Sequence, residues 1–238
     1  MASSAAPRTA PPASGPRLVP ILLLGRSGKV MVPGADGPVL ATTPEDRPID
    51  LFDFTDYLAD KFHRLYVVDL QGVEHGVAQL DYLQELTKDT DVWIDAGVDT
   101  ADGVIDVLVT GARRAVVSTG RLGGIADLKR AWKLTQEIAL EIEIGSDGEV
   151  RGGSRWGADP AAIAAAAREI GIAEIVLSPR DRAVDWALVR TLSGAGPVWV
   201  DGSFEPGDRG RLEEVHAAGG LFHIAGEIPN FLARGPSG

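Results

Sequence analysis

The chain has 238 residues, 45% of them apolar and 24% charged, with 34 acidic against 23 basic side chains, a formal charge of −11 and no cysteine. Disulfides, iron–sulfur clusters and thiolate zinc sites are thereby excluded, and the acidic balance without any basic tract argues against a nucleic-acid or anionic-membrane surface. The profile is that of one globular domain, since a single α/β barrel takes about 200–250 residues.

Residues 1–17, rich in Ala, Pro and Ser, carry no large apolar side chain and are expected to form a disordered tail. The next run, Leu18 to Leu24, is bracketed by Arg17 and Arg26 and reads as a first buried strand rather than the apolar part of a signal peptide. A Gly- and Pro-rich segment from Leu24 to Asp50 follows, then a helix from Asp50 to Leu58. Further apolar runs lie at Leu65–Leu70, Val92–Asp95, Ala115–Ser118, Ile138–Ile144, Glu174–Ser178, Val198–Asp201 and Phe222–Ala225. Between them, helices are predicted at Thr100–Val109, Ile125–Thr135, Asp159–Ile170 and Asp208–Ala217. Asp159 followed by Pro160 forms an N-cap with a first-turn proline at the start of the third of these.

Most runs begin about 23–26 residues after the previous one, the length of a strand, a loop and a helix. Continuous apolar strands alternating with amphipathic helices imply a parallel sheet covered by helices, and eight of them imply a (βα)8 barrel as one domain over residues 18–238. The two long connections, Leu24–Asp50 and Gly145–Gly157, both leave strand C-termini, where such barrels carry their sites. An internal echo supports a half-barrel repeat: Val92-Trp-Ile-Asp-Ala-Gly-Val98 in the third strand is matched by Val198-Trp-Val-Asp-Gly-Ser-Phe204 in the seventh.

These features together resemble the HisA/HisF family of histidine biosynthesis, a TIM barrel of the ribulose-phosphate-binding type. The strings that carry the resemblance are Tyr66-Val-Val-Asp-Leu-Gln-Gly72 with Gly76, Ile94-Asp-Ala-Gly-Val98, Val117-Ser-Thr119, and Asp147-Gly-Glu-Val150 with Arg155-Trp156. The second of them is more similar to a HisA-related branch of unassigned function than to HisA itself. The resemblance implies a small two-phosphate sugar-like substrate, an isomerase-type rearrangement, and an acid/base pair of aspartates at the ends of strands 1 and 5. This sequence departs at both places, with Leu22-Leu23-Leu24 at the first and Ile144 at the second, Glu143 being available only if the register slips by one. In place of the family's Thr-Asp at strand 6 stands Ser178-Pro179-Arg180. A leucine transfers no proton, so ordinary HisA activity is not expected.

The strand-end carboxylates that remain are Asp69, Asp95, Glu143 and Asp201. Asp69 and Asp95, on neighbouring strands, are the leading candidates for an acid/base pair, with Glu143 third; helix capping or pairing with arginine is the competing role for each, and Glu141 with Glu143 can instead be an acidic edge turned to water. Glycine-rich strand ends can hold a phosphate through main-chain N–H groups, which marks Gly97, Ser118, Thr119 and Gly120 as a first candidate anion site and Asp201, Gly202, Ser203 and Gly226 as a second, with Glu227 intruding on the latter. Arg155 and Trp156 are either a lid over the substrate or an anchor for the following helix. No metal-ligand spacing and no cofactor motif is present, and His223 is the one histidine predicted near the mouth. Two functions fit: an enzyme acting on a small phosphorylated metabolite, with a role in histidine-like or one-carbon-cofactor biosynthesis by association with the branch, or a barrel without catalysis that serves as a binding or partner subunit, alone or as a homo-oligomer. Either would be cytoplasmic.

Overall fold

The computed structural model describes residues 15–202, 204 and 208–234. Strand β1 (Arg17–Gly25) leads through a short 3-10 turn into the hairpin β2 (Lys29–Gly34) and β3 (Gly37–Leu40), and then follow β4 (Arg64–Asp69), β5 (Asp91–Asp95), β6 (Arg114–Ser118), β7 (Ile138–Ile144), β8 (Ile175–Pro179), β9 (Val198–Asp201) and β10 (Gly219–His223). All but the hairpin strands pair in parallel with their sequence neighbours, and β10 pairs back onto β1, so eight strands close into a barrel. This is the (βα)8 TIM barrel expected from the spacing.

Helices cover the outside: α1 (Leu51–Phe62), α2 (Leu70–His75), α3 (Leu80–Leu86), α4 (Ala101–Val109), α5 (Ile125–Leu134), α6 (Gly153–Trp156), α7 (Pro160–Ile170), α8 (Trp186–Ser193), α9 (Arg209–Glu214) and α10 (Ile228–Ala233). Several starts are fixed by aspartates: Asp50, Asp159 and Asp185 each accept hydrogen bonds from first-turn N–H groups, an effect worth about 1 kcal/mol per cap.

Because the barrel is closed, every strand has two buried faces, and residue parity decides which face a side chain serves. Leu22 and Leu24 of β1 join the large layer between strands and helices, whereas Val19, Ile21 and Leu23 point into the barrel with Tyr66, Trp93, Val116, Ala139, Val176, Trp199 and Leu221. The two tryptophans of the internal repeat meet across the axis, edge to face with centroids 5.2 Å apart. The Arg64 guanidinium caps them from below, 5.0 Å over the Trp93 ring, while it is held by Asp91. One residue pair further along the same interior faces, the repeat presents Asp95 and Asp201 to the opposite end.

Three segments differ from the sequence reading. The eighth strand runs over Gly219–His223 rather than Phe222–Ala225. Gly219 is packed so closely against the Arg17 carbonyl and the Trp199 ring that no side chain fits, and the strand therefore begins without an apolar signature. The connection from Leu24 to Asp50 is an ordered hairpin, with Leu24 paired to Val30 and Val32 to Val39, so it extends the barrel wall above β1. Helices α2, α3, α6 and α8 were not anticipated. Of the expected tail, residues 1–14 lie outside the described residues, and Arg17 already belongs to β1.

Candidate active site

The C-terminal mouth of the barrel is lined by charge. All seven residues of β7 are buried, Glu141 and Glu143 included. Their parity matches that of Ala139, so both carboxylates point inward rather than to an acidic edge, and Ile144 faces the helices. Arg180 reaches back over the mouth from the end of β8. Its amide N–H donates to the Ile144 carbonyl (2.8 Å), and Asp181, the next residue, takes a left-handed conformation (φ 56°) that turns the chain away. The guanidinium then lies between the two glutamates, with Nη2 donating to Glu141 Oε1 at 3.0 Å and Nε 3.4 Å from Glu143 Oε2. The phenol of Tyr66 donates to the other Glu141 oxygen at 3.3 Å.

Asp95 completes the group from β5, and the Gly97 N–H donates to its Oδ1 (3.0 Å). Asp201, on the far side, accepts from the Ser178 hydroxyl (2.8 Å). One arginine thus stands among four interior carboxylates, and burial raises the proton affinity of two of them, Asp95 and Glu141. Loss of water pushes Asp95 up to about 6, with Glu143 adding to the rise and Arg180 opposing it. The same desolvation pushes Glu141 up to about 8 despite Arg180 beside it. Glu141 and Glu143 in turn hold Arg180 more firmly protonated than usual, and burial and nearby Glu141 raise Tyr66. His223, at the end of β10, is lowered by burial, and its Nδ1 is buried with no hydrogen-bond partner among the described residues.

Beside this cluster a cavity of about 700 Å³ opens between the ends of β8, β9 and β10. Arg180, Arg182 and Arg211 face it together with Asp181, Asp201, Asp208 and His223. Arg211 lies 4.6 Å over the Trp186 ring, and Trp186 packs edge-on against Phe204, so aromatic side chains hold one wall.

The remaining predicted residues are placed as follows. Asp69 is fully buried but faces away from the interior: its carboxylate accepts from the Gln71 N–H (3.1 Å), the Gln79 N–H (2.6 Å) and the Gln79 side-chain amide (2.9 Å), which caps α2 and ties the following loop down. It is not brought together with Asp95 as a pair. At strands 3 and 4 two of the amides expected to hold an anion are already committed, that of Gly97 to Asp95 and that of Thr119 to the Glu141 carbonyl. Ser118 is buried beneath them, and Thr119 Oγ1 accepts from the Glu143 N–H. A Cβ on Gly120 would stand 2.7 Å from Glu143 Oε1, so a carboxylate occupies the place at this turn where an anion was expected.

At strands 7 and 8 the Gly202 N–H donates to the Leu221 carbonyl, Gly226 is exposed, and Ser203 lies outside the described residues. Glu227 does not intrude there, because it turns to α1 and accepts from the Tyr57 hydroxyl (2.7 Å) and Lys61 (2.6 Å). Trp156 is an anchor: its indole N–H donates to the Leu122 carbonyl (2.9 Å) and the ring is buried, while Arg155 points to solvent. Among the described residues no group of three or more His, Asp and Glu side chains is arranged to hold a metal ion, and no helix is long and apolar enough to cross a membrane.

The model of the histidine biosynthesis protein family matches residues 27–182, from the hairpin through the loop that follows β8. The chain belongs to this family. Its HisA/HisF-type barrel is the one built here, and the match spans Asp95, Glu141, Glu143 and Arg180 while ending before Asp201 and His223. No curated protein matches the chain. Two of the site's members, Glu141 and Arg180, were not singled out from the sequence as functional. The signal was available: two glutamates two residues apart on a strand with no edge must point into the barrel, and an inward pair of that kind needs a cation.

Proposed function

We propose that the chain is an enzyme that binds a small phosphorylated metabolite at the mouth of the barrel and rearranges it by moving a proton, as a sugar-phosphate isomerase does. The observation that carries this reading is the buried carboxylate cluster at the mouth, Asp95, Glu141 and Glu143 around Arg180, in which burial pushes Asp95 up to about 6. A group that exchanges its proton near neutrality at the mouth of the barrel is what general acid–base catalysis requires. Asp95 is the proton acceptor in this reading, and Glu143, fixed between Arg180 and the Gly120 turn, is its partner. The anionic group of the substrate is taken by the cavity at β8–β10, where three arginines gather, rather than by the turns after β5 and β6, where the Gly97 and Thr119 amides are occupied. A biosynthetic context, histidine-like or for a one-carbon cofactor, rests on family membership and resemblance.

A second reading, a barrel that binds a ligand or a partner subunit without turnover, is favoured by one feature: β1 brings Leu23 and no carboxylate to the interior, so the mouth lacks an acid on that side. Incubation with a panel of aldose and ketose phosphates in D2O separates the two. Deuterium entering carbon next to the carbonyl, lost in Asp95→Asn with the fold intact, supports the enzyme; binding without any exchange across the panel supports the second reading and overturns the first.

A further inference from the structure

Arg180 belongs to two places at once. Its guanidinium closes the carboxylate cluster, bonded to Glu141 and beside Glu143, yet about a third of its side chain (36%) remains exposed and it forms part of the cavity wall between β8 and β10. The cavity brings Arg182 and Arg211 to the same space, so an anion that enters it meets three guanidinium groups, set among the carboxylates of Asp181, Asp201 and Asp208. Among the described residues, Arg180 is the one of the three with carboxylate ion-pair partners that it must leave to receive the anion fully. A guanidinium donates five N–H groups in a fixed plane and pairs with a tetrahedral oxyanion through two of them, so the anion competes for the same edges that the glutamates hold.

When Arg180 turns away, the carboxylates lose their cation while staying out of water. Glu141 faces Tyr66 from β4, Asp95 from β5, Glu143 on its own strand and Asp201 from β9, and none of these supplies a positive charge. Arg121 acts on Asp95 and His223 is held neutral by burial. An uncompensated buried charge is costly, and the cheap remedy is protonation.

We propose that Arg180 is exchangeable: it leaves Glu141 and Glu143 to hold the ligand's anionic group, and the carboxylate cluster takes up a proton from solvent in its place. Arg180 stays protonated throughout, and no bond other than the new carboxyl O–H is formed. The consequence for the proposed reaction, on which this inference builds, is that substrate binding itself keeps a proton in the mouth at alkaline pH, on a carboxyl that stands elsewhere than on the first strand.

Sulfate is the probe, because it has no proton of its own to exchange near neutrality. Titration calorimetry of the full chain at pH 8, in buffers of different ionisation enthalpy, reads the protons taken up per sulfate. Uptake of about half a proton is expected at pH 8, where Glu141 is about half ionised, rising towards one at pH 9, with affinity falling by up to about tenfold per pH unit above pH 8. In Glu141→Gln, which keeps the shape of the side chain, uptake should fall to less than half of the wild-type value. Sulfate bound with no proton uptake overturns the exchange and leaves the anion site standing, as does an uptake unchanged in E141Q. Failure of sulfate to bind at all overturns Arg180 as an anion anchor. Uptake as expected without turnover on any sugar phosphate keeps this inference and removes the enzyme reading instead.

Discussion

Replacing Asp69 by Asn separates a structural aspartate from a catalytic one. The carboxylate accepts three hydrogen bonds while fully buried, two at Oδ1 and the shortest, 2.6 Å from the Gln79 N–H, at Oδ2. Asparagine keeps one oxygen and offers an NH2 group at the other position, where it meets an N–H rather than an acceptor. The loss comprises one charge-assisted bond, about 1.5–3 kcal/mol, and the cost of an unsatisfied buried donor, so a total of about 2–4 kcal/mol is expected. Gln79 also donates to the Gly25 carbonyl and accepts from the Ser27 N–H, so the damage spreads to the turn after β1. For a domain of this size each kcal/mol moves the melting temperature by about 2–4 °C, which gives a drop of roughly 5–15 °C. Thermal unfolding followed by circular dichroism measures it, with sulfate affinity at the mouth as the control, expected unchanged well below the new midpoint. A variant that melts with the wild type but has lost ligand binding or turnover would refute the assignment of Asp69 to the scaffold.

Other outcomes follow from the same contacts. Asp95→Asn keeps the acceptor for the Gly97 N–H and removes only the charge. Because the folded-state value of Asp95 is raised to about 6, the native protein holds a proton that the unfolded chain has released, and its stability falls as pH rises from about 4 through 6. D95N should therefore be more stable than the wild type at pH 8 and no different below about pH 4, as urea unfolding at the two pH values would show; a variant that is less stable at pH 8 contradicts the burial argument. Trp156→Phe removes the indole hydrogen bond to Leu122 and should cost about 1–2 kcal/mol in the same assay without changing sulfate affinity, whereas a large loss of affinity would restore the lid.

The fold was legible because the barrel strands are short apolar runs at a regular spacing, and β7 and β9 fall on the runs read from the sequence. The strand that was misplaced, β10, begins with Gly219 and Gly220, which earn their place by close packing and leave no hydrophobic pattern to read. Helices α2 and α3 are 6 and 7 residues long, too short for periodicity to mark. At the site, Asp95 was legible as a strand-end acid, and the repeat correctly paired its strand with that of Asp201. What the sequence hid was side-chain direction. Asp69 sits at a strand end as Asp95 does, but the odd step in parity sends it to the helix layer. Glu141 looked like a residue for solvent because alternation of Glu and Ile on an open sheet means a wet edge, and only closure of the barrel makes that face an interior one.

The central claim is that carboxyls inside the mouth hold protons at neutral pH. Carbon-13 NMR titration of the Asp and Glu side-chain carboxyls, with Asp95→Asn and Glu141→Gln used for assignment, tests it directly. One resonance should titrate near pH 6 and vanish in D95N, and another should titrate toward pH 8 and vanish in E141Q. If every carboxyl has lost its proton by pH 5, the mouth holds only a structural ion-pair network and the account of its chemistry fails.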